Sequence, residues 1–297
     1  MAAGALTVAL VVGAVVNGGT DGASAEAAEI LNNAAELSQS AVDFDLKPGQ
    51  YLKVETTHEA IRHPAREAPG FEISAAWVER STSAIYVPAD RNDDWVVVGD
   101  DDTEAIQFFG ANAEQVREET IDEILPPHKA VVLRYPRGVV PSAEDDPHIY
   151  RYGTIRNRAS MPSEPAETLG WYREQSDLSK HDPSGDIVVF SSIVEHLELN
   201  LEDASTRELL FRTLAVIPGV AVAAESVTED GSATATLQLT DTDVGRTIEV
   251  TIDTSNGLLK GTKDYSFGLW KDRSGIFPKG IPSTTTRVTT TVVDSAP

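Results

Sequence analysis

Histidine is the first place to look for chemistry, and six are present. His58 and His63 bracket Glu59, but five residues separate them. Two imidazoles that share a metal from one helix face stand four apart, and an offset of five turns the second away. The pair also follows an alternating, strand-like run, so it is expected as two solvated loop histidines and not as zinc ligands. His128, His148, His181 and His196 are scattered, mostly near proline or acidic residues. The chain has no G-x-S-x-G nucleophile elbow, no phosphate loop ending in Lys-Ser/Thr and no G-x-G-x-x-G. Cysteine is absent, which removes disulfides, thiolate metal sites and a Cys nucleophile. A Ser-His-Asp hydrolase site would have to be assembled in three dimensions from distant residues. No catalytic residue, metal or cofactor is therefore assigned, and a hydrolase is kept only as an alternative.

Two other residue groups carry weaker chemistry. Asp93-Asp94 and Asp100-Asp101-Asp102 flank the apolar run Trp95 to Val98, where carboxylates at one sheet end could meet around Ca²⁺. They lack the alternating ligand order of a calcium loop, so solvated loops are expected. Tyr51, Trp77, Tyr86, Trp95 and Trp270 form the aromatic set. Lining a cavity between a sheet and its covering helices, they would suit a lipid or other hydrophobic ligand; otherwise they are core. Formal charge excludes one partner class. With 24 basic against 47 acidic side chains the chain carries −23, which repels a phosphate backbone and disfavours nucleic acid.

The elements that must position these residues are legible in the pattern. Residues Ala2 to Val16 carry no charge. They fall short of the roughly 20 apolar residues of a full span but match a signal-peptide core. The segment 1–16 is expected as an export signal, with a small-residue site at Ala23-Ser24-Ala25, or as part of a transmembrane anchor. Residues 17–23 form a Gly-rich linker, and 24–297 the body. Ala27, Ile30, Leu31, Ala34 and Leu37 make one helical face up to Ser40. Strands are expected at Gln50–Thr57, Phe71–Arg80, Ser83–Pro88, Trp95–Val98 and Ala130–Leu133, with helices at Ala113–Leu125 and Ser163–Glu174.

The clearest pattern runs from Ile187 to Tyr265. Ile187, Phe190, Val194 and Leu197 share a helix face, and Leu210, Phe211, Leu214 and Ile217 make a second apolar stripe. Ser205-Thr206-Arg207-Glu208 matches a capping box, with Ser205 as N-cap. Pro218-Gly219 stops that helix. Beyond it, Ala233–Leu239, Thr247–Ile252 and Leu258–Lys263 alternate as strands around the turn signals Asp230-Gly231 and Asn256-Gly257. Thr284 to Val293 closes the sheet. The fold class is α+β, a curved, half-barrel-like antiparallel sheet with helices on one face behind an N-terminal apolar anchor helix.

The run Ala23 to Leu31, Pro48-Gly49-Gln50-Tyr51-Leu52, Arg207 to Val220 and Ile252 to Leu259 together resemble an uncharacterised group of actinobacterial membrane-anchored proteins. Members are often encoded beside sigma factors of the extracytoplasmic-function type. The order of helix and sheet is more distantly similar to the half-barrels of lipoprotein carriers and sigma-regulator sensors. The resemblance implies a setting in envelope signalling. The apolar N-terminus, the acidic body and the absence of reactive motifs lead to the expectation of a cell-membrane protein with its body outside the cytoplasm, which binds or senses a ligand or an unknown protein partner. A carrier of a hydrophobic ligand is the alternative within that reading.

Overall fold

The computed structural model describes residues 22–40, 44, 46–64, 74–99, 103–124, 131–139, 155, 158–175, 185–227, 231–266, 276–277 and 280–297. The apolar segment 1–16 lies outside the described residues. Among the described residues no helix is long and apolar enough to cross a membrane.

Ten strands form one antiparallel sheet, most of them marked by alternation of apolar and polar side chains. The first half holds β1 (Tyr51–Arg62), β2 (Ala76–Pro88), β3 (Trp95–Gly99), β4 (Glu104–Phe109) and β5 (Val131–Tyr135). The second half holds β6 (Ala221–Val227), β7 (Ala233–Asp241), β8 (Arg246–Asp253), β9 (Leu259–Tyr265) and β10 (Thr284–Val293). Their spatial order is β5-β3-β2-β1-β10-β9-β8-β7-β6, with β4 paired to β2. The sheet is open, with β5 and β6 at its two ends. The last strand joins the halves: β10 pairs with β1 along ten positions and with β9 along only four.

Five helices accompany the strands: α1 (Ala25–Ser40), α2 (Ala113–Ile124), α3 (Pro165–Gln175), α4 (Gly185–Glu198) and α5 (Ala204–Ala215). α1, α3, α4 and α5 pack together over β6 to β9. Their core contains Leu31, Phe190, Ile193, Leu210, Phe211 and Leu214, and it meets Leu237, Val250 and Ile252 of the sheet. Each such side chain contributes roughly 1.5–3 kcal/mol by leaving water. A second cluster on the same face joins Leu52, Val54, Ile85, Val87, Trp95 and Val288 under Leu201. A third, around Ala76, Val78 and Phe109, packs with Ile61 and Phe277 on the opposite face.

Several elements depart from the sequence pattern. The two expected strands at Phe71–Arg80 and Ser83–Pro88 are one continuous strand, β2, because its register against β1 runs unbroken from Trp77 to Pro88; residues 71–73 lie outside the described set. β1 runs on to Arg62, which places His58 inside a strand and not in a loop. β4 was not expected at all: its Glu-Ala-Ile-Gln-Phe-Phe sequence has no clean alternation. The N-cap of α5 is Asp203, not Ser205, because a carboxylate two residues earlier accepts from Thr206 N at 2.9 Å. Ser205 Oγ donates to that same carboxylate, and Glu208 pairs with Arg212 instead of reaching back.

Candidate functional site

Strand register aligns side chains across the sheet in rows, and successive members of one row project from the same face. One row, from β2 to β7, reads Ser81, His58, Thr286, Thr262, Val250, Leu237. The next reads Glu79, Ala60, Thr284, Asp264, Ile248, Leu239. Both are apolar under the helix layer and mostly polar from β9 to β2. They cross the join between the two halves of the sheet, so a polar lane separates the helix-covered core from the Trp95 core.

Glu198, the last residue of α4, closes the lane from above. Thr262 Oγ1 donates to its carboxylate at 2.7 Å, and the nearby Thr286 hydroxyl also favours its charged form. Burial raises the Glu198 pKa above the ordinary carboxyl value, and the two hydroxyls pull it back only in part. His58 Nδ1 stands 3.4 Å from Thr286 Oγ1. Burial, then the nearby Arg62 guanidinium, lower the His58 pKa, while Glu59 works in the other direction. The lane therefore holds a neutral imidazole and a reluctantly ionised carboxyl beside one threonine hydroxyl.

At one end the lane opens into a cavity of about 240 Å³, lined by His58, Arg62, His63, Asp264, Phe277 and Thr284 among others. Arg62 Nε lies 3.5 Å from Glu79 Oε2, and Glu79 also accepts from Trp77 Nε1 at 2.8 Å. Serine, histidine and aspartate thus meet here, but not as a proton relay. Ser283 Oγ donates to the backbone oxygen of Asp264 at 2.7 Å and accepts from Ser266, whose own hydroxyl lies at 2.7 Å. The Asp264 carboxylate is gripped by Arg246, with Nη2 to Oδ2 at 2.7 Å. Neither hydroxyl is described on an imidazole. Among the described residues no group of three His, Asp or Glu side chains could hold a metal ion.

A larger groove of about 470 Å³ lies between α5 and the segment leading into α3, lined by Arg158, Pro162, Glu164, Ser205, Glu208 and Arg212 among others. Its walls are pinned: Glu202 Oε1 accepts from Ile155 N at 2.7 Å, and Arg158 pairs with Asp203. Glu208 is occupied by Arg212 at 3.0 Å and Gln39 at 2.6 Å. Those pairings leave the groove less suited to a ligand than the lane.

The register divides the aromatic set. Trp77 and Trp95 are fully buried on the helix-covered face. Trp95 Nε1 bonds Arg91 O at 3.3 Å, with the Arg91 guanidinium 6.0 Å over the ring. Tyr51 and Tyr86 lie half-buried on the opposite face, beside Lys53 in the register. Trp270 lies outside the described residues. None of the four described aromatics lines either cavity. Of the histidines, His58 and His63 do converge, on one cavity; His128, His148 and His181 lie outside the described residues, as does Asp100-Asp101-Asp102. Sequence reasoning missed Glu198, Thr262 and Thr286, and only the Thr-rich alternation of β10 hinted that polar side chains would face inward.

No family model matches the chain, and no curated protein matches it. Among solved structures it is similar to a chain in the complex of MucA and MucB from Pseudomonas aeruginosa, at 12% identity and a TM-score of 0.33. That alignment covers 92% of this chain and 59% of the other, so this chain spans less than two thirds of its neighbour's length.

Proposed function

We propose that this chain is the binding or sensing body of a membrane-anchored protein, carried outside the cytoplasm on its apolar N-terminal segment, and that it acts without catalysis. The observation that supports the reading is the polar lane, which crosses the join of the two half-sheets and opens into a cavity. A ligand there would touch β1, β9 and the start of β10 at once, and so both halves of the sheet. A carrier of long apolar ligands draws less support, because the four described aromatics of that set are packed as core or face away. A hydrolase draws less as well, because Ser283 and Asp264 spend their hydrogen bonds on Ser266 and Arg246. The resemblance to actinobacterial membrane-anchored proteins encoded beside sigma factors adds envelope signalling as the setting.

Placement is tested by fusing alkaline phosphatase or a cytoplasm-only fluorescent protein after Pro297. Phosphatase activity without fluorescence is expected, and the reverse would refute the export reading. Binding is tested by protein-observed NMR against small acids, amines and alcohols. At least one class should bind and shift resonances of His58 or Arg62. Silence from all of them would sink the site.

A further inference from the structure

The chemistry of the cavity runs against that of the chain. Acidic side chains outnumber basic ones 47 to 24 overall. Yet the described lining of the cavity gathers Arg62, His58 and His63 around one carboxylate, Asp264. That carboxylate is already neutralised by Arg246 at 2.7 Å. Arg62 is held only loosely, by one long contact from Nε to Glu79 at 3.5 Å, and its side chain is 53% exposed. Among the described residues no hydrogen bond engages its terminal nitrogens. Those nitrogens form the planar fork that matches a carboxylate with two parallel bonds.

The remaining wall is apolar. Ala60, Ile61 and Phe277 line it, and Phe277 is fixed by an edge-on contact with Phe109 at 5.4 Å between ring centroids. A volume of about 240 Å³ equals that of about eight water molecules, enough for one small ring bearing a carboxylate. Long-range repulsion by the acidic surface is screened beyond about 8 Å at physiological salt, so the local Arg62 guanidinium decides which charge enters.

We infer that the cavity binds a small organic acid with a flat apolar body, its carboxylate on the Arg62 guanidinium beside His58 and its ring against Phe277 and Ile61. This rests on the reading of the lane as a binding site, and it adds the charge and shape of the ligand. Occupancy would place a negative group beside the two histidines and draw Arg62 from Glu79.

The test titrates the full chain with sodium benzoate, benzylamine and benzyl alcohol, by calorimetry and by the Arg62 Nε–Hε NMR resonance. Benzoate should bind, should shift that resonance, and should bind at least ten-fold more weakly to Arg62→Gln. Exposure of Arg62 makes that variant compatible with an unchanged fold, checked by circular dichroism; if it fails to fold, the resonance of the unmodified protein decides. Preference for benzylamine, or benzoate affinity unchanged in Arg62→Gln, would overturn the acid assignment and leave a binding cavity. No response to any of the three probes would overturn the assignment and the binding reading together.

Discussion

His58 of β1 and Glu198 of α4 both lie beside a single hydroxyl, that of Thr286 on β10. His58 and Thr286 are 228 residues apart in the chain. The contact therefore ties the first half of the sheet to the closing strand, and Glu198 ties both to the helix layer. A buried polar group left without a partner costs about 1–3 kcal/mol, so these bonds are cheap to keep and expensive to break.

Thr286→Val tests that statement directly. Valine keeps the shape of this buried residue but removes the hydroxyl that His58 contacts and that favours the charged form of Glu198. Stability in urea should fall by about 1–3 kcal/mol. Glu198 should then titrate still higher, as read from its side-chain carbon resonances. An unchanged midpoint would mean the threonine is only space-filling.

His196 should make stability depend on pH. Tyr172 OH lies 2.8 Å from His196 Nδ1, and burial pushes the histidine pKa down to about 4 from an ordinary 6.5. The folded state thus favours the neutral ring. Its contribution is fully present above pH 6.5 and is lost as pH falls through the folded value near 4. The loss amounts to up to about 3 kcal/mol. Glu198 and Glu202 are raised by burial and act oppositely, favouring the fold below the ordinary carboxyl range. The measurement is therefore the difference between the native protein and His196→Gln in urea at pH 7 and pH 4. The variant should lose less stability on acidification, and equal losses would discredit the assignment.

Capping of α5 separates two neighbouring residues. Asp203→Ala removes the acceptor for Thr206 N and the partner of Arg158, and should cost about 1–2 kcal/mol. Burial works against ionisation of Asp203, but Ser205, Thr206 N and Arg158 together hold it well below the usual carboxylate range. Ser205→Ala removes only a donor to that carboxylate from an exposed site, and should change stability by less than about 0.5 kcal/mol. Thermal melts of the two variants decide; the opposite order would restore Ser205 as the cap.

Gly138 faces the Trp95 ring with φ at 70°. A Cβ there would lie 2.6 Å from Trp95 Cδ2. Gly138→Ala combines backbone strain with overpacking and should destabilise by about 2–4 kcal/mol. Trp95 is buried, so its fluorescence should shift as the ring is displaced. A variant with native stability and emission would show that the loop yields.

Element types were readable because they depend on neighbours a few positions apart. The apolar stripes of α4 and α5, the alternation of β7 and β8, the bounds of β10 and the Asn256-Gly257 turn all belong to that local grammar. Where local signals compete, the pattern misled: two capping residues lie within three positions at Asp203 and Ser205, and β4 hides its alternation. The site was not readable. Alternation within β10 told that Thr284 and Thr286 would share a face, but not that Thr262 and His58 would stand beside them. That depends on β10 pairing with β1 in one register, and a slip of one residue would turn every one of those side chains to the other face. Composition and pattern determined a strongly acidic, cysteine-free α+β chain, whereas the tertiary structure alone placed Arg62 and two histidines around one cavity.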